Sequence, residues 1–208
     1  MHKKIVLIGI SVLLIVVSLS GCIIPTYEDT EGNTHLGFPP SGNLDEKPDI
    51  SINDLEYEIH ELVNIERVKQ GISPLLYDDA LADIARDHSN DMATFNYFSH
   101  TNLNGEGPTD RAIESGYPVH KDYGNGIYSQ GIAENIFENW LYDGLSYYNE
   151  NDPIYEWNTQ SEIASSTVDG WMNSIGHREN ILNSDYDKEG IGVAISSDYK
   201  VLITQDFW

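Results

Sequence analysis

The sequence predicts an α+β fold, and three observations carry the prediction. Two long stretches with helical apolar spacing lie early, between Ser51 and Phe95. Two short runs, the first alternating apolar with small residues, close the chain as a hairpin. No alternation of strand and helix joins them, so layered helices and a late antiparallel sheet fit better than a doubly wound parallel sheet.

The elements follow in order. The N-terminus "MHKKIVLIGISVLLIVVSLSGC" places Lys3 and Lys4 before an uncharged, mostly apolar run, the order of an export signal. From Ile5 to Ile24 the run is also long enough to span a bilayer as a helix about 30 Å long. "LSGC", Leu19 to Cys22, resembles the lipobox of prokaryotic lipoproteins, in which cleavage leaves a lipid-modified Cys22. Either reading puts the remainder at the extracellular face of the membrane, because the positive end stays inside. Residues 23–50 hold Pro25, Pro39, Pro40 and Pro48 without apolar periodicity and read as a flexible tether.

Residues 51–208 read as the domain. "SINDLEYEIHELVNIERVKQG" aligns Leu55, Ile59, Leu62 and Val63, and Gly71 is a C-terminal stop. "DDALADIARDHSNDMATF" aligns Leu81, Ile84, Ala85, His88, Met92 and Phe95, with Asp78 or Asp79 as the cap. Short helices are expected at Thr109 to Glu114 and around Val168 to Met172. "GIGVAIS" and "VLITQDF" form the hairpin about "SDYK". Residues 137–165 form an aromatic-rich insertion whose rings either pack on one another or make a rim that stacks on a ligand such as a sugar.

With 34 acidic and 11 basic residues the net charge is -23. Such a polyanion repels nucleic acid and anionic membrane surfaces. The single cysteine, Cys22, permits no intrachain disulfide, so the core alone must hold the domain.

Among seven histidines, two lie at element ends, where functional side chains concentrate. His100 ends "YFSH", and His177 follows a Ser-Ile-Gly break in "WMNSIGHRENIL". Glu134 in "GIAENIF" is a carboxylate among apolar neighbours, which marks a buried, paired group or a site residue. His88 falls on a buried helix face as a hydrogen-bonded core histidine, and His60 reads as a surface or rim residue. Phe98, Ile136, Ile181 and Leu182 are expected to anchor the three candidates around one opening.

The blocks from "LVNIERVKQG" to "NYFSH", then "AENI", "WMNSIGHRENIL", "GIGVAI" and "TQDF", in that order over residues 55–208, resemble the CAP superfamily. Its members are the cysteine-rich secretory, antigen 5 and pathogenesis-related proteins, or SCP-like domains. The resemblance is to their disulfide-free prokaryotic branch. It implies an α-β-α sandwich with a mostly antiparallel sheet, and a cleft lined by two histidines and two acids. His100 and His177 match the two histidines. Glu134 matches the acid of the "GEN" motif, with Ala133 in place of glycine. The second acid would fall at Ser174, so it is missing there. Two functions follow. The first is a surface module that binds a lipid, a glycan or an envelope protein. The second is a peptidase-like hydrolase, in which His100, His177 and Glu134 hold Zn²⁺ or His177 acts as a base supported by Glu134.

Overall fold

The computed structural model describes residues 26–28, 34–36, 47–149 and 152–208. The signal segment 1–22, and Cys22 with it, lies outside them. The chain divides into two compact units, Met1–Pro40 and Ser41–Trp208.

In the first unit, strands β1 (Thr26–Glu28) and β2 (Thr34–Leu36) pair antiparallel. The stretch read as tether therefore contains a short hairpin, whose three-residue strands are too short to show alternation.

The second unit begins ahead of Ser51: Lys47 lies over the Tyr199 ring at 5.0 Å, and Ile50 packs on the core. Helix α1 (Ile52–Lys69) follows, capped by the Ser51 hydroxyl, and the chain leaves it through Gly71 with φ 74°. Next come β3 (Leu76–Tyr77), α2 (Asp79–Phe95, capped by Asp78) and α3 (Pro108–Glu114). A hairpin of β4 (His120–Gly124) and β5 (Ile127–Gln130) turns through Asn125 and Gly126, both at positive φ. Strand β6 is Ala133–Trp140, and β7 (Tyr142–Asn149) pairs with β8 (Asp152–Trp157). Helices α4 (Gln160–Asn173) and α5 (Ile175–Ile181) precede the closing hairpin, β9 (Lys188–Ile195) and β10 (Lys200–Phe207).

The central sheet runs β3-β9-β10-β6, antiparallel except where β3 joins β9. Its two faces follow from the period of two along the strands. Ile191, Val193, Val201, Ile203 and Phe207 meet Leu55, Ile59 and Val63 of α1 and Ile163, Val168 and Trp171 of α4. On the other face Gly190 and Gly192 let the α2 backbone lie directly on β9, and Ser89 of α2 bonds Thr204 at 2.9 Å. The result is the expected α-β-α sandwich.

Side chains engage backbone groups on both sides of the sheet. On β9, the Val193 N–H donates to the buried Glu56 carboxylate, itself held by Arg86. On β6, the Trp171 indole donates to the Ile136 carbonyl, and the Asn180 amide to that of Glu134. These last two bonds bring α4 and α5 to the edge where the candidate residues lie.

The insertion expected at 137–165 resolves into three parts. Residues 137–140 complete β6, 142–149 and 152–157 form the paired strands β7 and β8, and from Gln160 the chain is α4. Its rings pack locally. Tyr155 stacks on Trp157 at 4.6 Å, and the Tyr199 ring meets Trp157 at 5.3 Å. Among the described residues no helix is long and apolar enough to cross a membrane.

Candidate functional site

Glu134 stands near the start of edge strand β6 with a side chain only 1% exposed. Both of its oxygens are engaged. His100, in the loop after α2, offers Nδ1 to Oε1 at 2.7 Å, and the Arg111 guanidinium of α3 donates to Oε2. Arg111 also donates to the carbonyls of His100 at 2.9 Å and Glu106 at 3.1 Å. One buried cation thus fixes the glutamate and the loop carrying the histidine. The Glu134 contact sets the His100 ring, which is half exposed, and leaves Nε2 as the nitrogen open to a ligand.

His177 approaches from the other side, in the first turns of α5. The helix break is narrower than expected: only Ser174 leaves helical geometry, with ψ 127°, and Ile175 and Gly176 already belong to α5. The His177 carbonyl accepts from the Asn135 amide at 3.2 Å. Burial, and then the nearby His100, depress the His177 pKa below the ordinary value. The two imidazoles lie near enough to interact electrostatically. The glutamate pairs with His100, however, while His177 Nδ1 is buried without a hydrogen-bond partner among the described residues. A base supported by Glu134 is His100, not His177.

The expected anchors divide. Ile136 and Ile181 are buried, but Phe98 is 47% exposed. It joins Leu103 and Ile175, each 66% exposed, as apolar side chains within three residues of the two histidines.

The donor set does not fit a metal. Among the described residues no three His, Cys, Asp or Glu side chains gather closely enough to hold an ion. Glu134 already accepts from Arg111, whose positive charge opposes a second cation.

Sequence reasoning missed a further buried carboxyl, Asp206 of "TQDF". It lies directly opposite Glu134 in the β6–β10 pairing and is wholly buried. Burial, and then the Glu134 charge, raise its pKa well above the carboxylate range, with Arg111 opposing. An acid whose pKa is higher folded than unfolded gains a proton on folding. It favours the fold at acid pH and costs stability as pH rises from about 4 through the folded value. Asp206→Asn removes that cost. It is expected to raise the melting temperature at neutral pH and flatten its dependence between about pH 4 and 8, which thermal melts across that range would check.

Sequence spacing gave no sign of Arg111, which lies in an ordinary short helix. His60, read as a rim residue, is buried and bonded to Glu189 at 2.5 Å. His88 is the expected core histidine, with Nε2 at 2.9 Å from the Ser99 carbonyl.

The profile of the family described as "Cysteine-rich secretory protein family" matches residues 60–161 and 154–207. The chain belongs to the CAP family. Among curated proteins, the CAP region is 36% identical over 138 residues to an uncharacterised membrane protein of Bacillus subtilis, YlbC, covering 66% of this chain and 31% of that one. It is 32% identical over 157 residues to the uncharacterised protein YkwD of the same organism, covering 76% and 48%. The chain thus spans less than half the length of either relative. Among solved structures, an extracellular SCP-domain protein of Bacillus anthracis superposes with a TM-score of 0.54 at 26% identity, over 87% of this chain and 50% of that one. An outer surface protein of Borrelia burgdorferi does so at 0.55 and 18% identity, over 78% and 97%, a likeness of fold alone.

Proposed function

We propose that this protein is an exported, membrane-anchored CAP domain that binds a ligand at the cell surface, in the cleft between His100 and His177. The observation that carries the reading is the commitment of Glu134 to both Arg111 and His100. That pairing builds a fixed floor with an imidazole presented to solvent, which suits recognition. The exposed Phe98, Leu103 and Ile175 favour an amphipathic ligand, an acyl chain with a hydrogen-bonding head, over a glycan or an envelope protein. Export rests on the basic and apolar N-terminus with Cys22 as the lipid-bearing residue. The descriptions of relatives as membrane and extracellular proteins are in keeping with it.

The test is mass spectrometry of protein purified from membranes. Mature chains are expected to begin at Cys22, heavier than the peptide by the lipid mass. A co-purifying amphiphile is expected to be lost from His100→Ala and His177→Ala. Chains starting at Met1 would overturn the lipid anchor, and ligand retention by both variants would overturn the cleft. The second reading is a hydrolase using the His100–Glu134 pair as general base. It predicts a peptidase activity abolished by His100→Ala and only weakened by His177→Ala.

A further inference from the structure

The interior between the sheet and α1 is not wholly apolar. An unbroken row of hydrogen-bonded side chains crosses it and ends beneath the cleft. Asn64 of α1 bonds His60 Nε2 at 3.2 Å. His60 Nδ1 meets Glu189 Oε1 of β9 at 2.5 Å. Gln205 of β10 donates to the other Glu189 oxygen, also at 2.5 Å. Asn135 of β6 donates to Gln205 Oε1 at 3.0 Å and to the His177 carbonyl at 3.2 Å. Asn180 of α5 closes the row, donating to Asn135 Oδ1 at 2.9 Å and to the Glu134 carbonyl at 3.3 Å.

The first five members are each at most 6% exposed. Leucines or isoleucines there would fill the space without the cost of desolvating polar groups. The row has a direction, which shows where it acts. The Glu189 carboxylate only accepts, so Gln205 must turn its NH₂ toward it and its carbonyl toward Asn135. Asn135 then spends one N–H on Gln205 and the other on the His177 carbonyl, and its oxygen receives Asn180. No rotamer of Asn135 is free, and two of its three bonds join it to α5, at the His177 carbonyl and the Asn180 amide. A fully satisfied buried network of this kind rigidifies one arrangement.

We propose that Asn135, Gln205 and Glu189 are positioning residues of the cleft. Anchored at His60 on α1, they hold α5 against β6 so that His177 faces His100 across Glu134. The proposal rests on reading the cleft as the functional site. Its test needs no ligand, so the two can fail separately.

The experiment combines hydrogen exchange by mass spectrometry with NMR of the histidine rings, on the full chain. Asn135→Ala and Gln205→Leu are expected to speed exchange of amides 174–182 about tenfold, as loss of one or two bonds would, and to move the His177 ring signal. The His100 ring, held by the Glu134 side chain, keeps its signal. Asn180→Ala, at a half-buried position that unfolding does not threaten, gives the same pattern from the cleft end. Asn64→Ala breaks only the far end, lowering the melting temperature while leaving α5 exchange and the His177 signal in place. The proposal is overturned if α5 exchange is unchanged in Asn135→Ala and Asn180→Ala. A uniform rise across α1, α2 and α5 would equally sink it, as would an Asn64→Ala effect on His177 matching that of Asn135→Ala.

Discussion

Arg111→Met is expected to destabilise the domain by about 3–5 kcal/mol, the cost of stripping one partner from a buried ion pair. Glu134 would remain buried with half its carboxylate unmatched, facing Asp206 across the strand pair. The loop from His100 to Glu106 would lose both carbonyl contacts that Arg111 supplies. Urea unfolding of the two proteins measures the loss directly. The pairing itself is separable from packing. Glu134→Gln in the Arg111→Met background removes the uncompensated charge, and should recover part of the stability, so the double variant is more stable than additivity predicts. Arg111→Lys should not rescue, since one ammonium on a flexible stem cannot reproduce a planar fork that serves Glu134, His100 and Glu106 together. Recovery of full stability by lysine would show that charge alone matters there.

Gly192→Ala is expected to cost about 3 kcal/mol, at the upper end of what an extra methyl in a tight core incurs. A Cβ at this position would overlap the backbone of Ala85 and Arg86, so α2 would have to lift off β9. Lifting it strains the Ser89 hydroxyl bond to the Gly192 carbonyl, 2.8 Å, and the Arg86–Glu56 pair that receives the Val193 N–H. Gly176→Ala is the control. It lies in α5 with nothing within 4 Å of a new Cβ. It should therefore gain up to about 1 kcal/mol from helix propensity. Calorimetric melts of the two variants should move in opposite directions. A harmless Gly192→Ala would mean that α2 does not rest on β9 backbone to backbone.

Local chemistry made α1, α2 and the closing hairpin readable from the residues alone. Their apolar positions repeat at 3.6 or 2 over many residues, and Ser51, Asp78 and Gly71 punctuate them. Strand β6 showed no such pattern, because both its faces are covered and one carries Glu134 beside Ile136. The succession of motifs marked His100, Glu134 and His177 as candidates, and the structure pairs the first two. What they do to each other was not legible. Which histidine the glutamate serves depends on where α3 delivers Arg111, 23 residues earlier in the chain. The second acid is absent where the motif places it, at Ser174. The buried Asp206 carboxyl is a different group, set opposite Glu134 by the register in which β10 pairs with β6. His60 looked like a rim residue because the partner that buries it, Glu189, is 129 residues away. Capping and periodicity act within a few residues, so the elements could be read along the chain. The pairings of the cleft could not, since strand register and helix docking bring together charges that no local pattern relates.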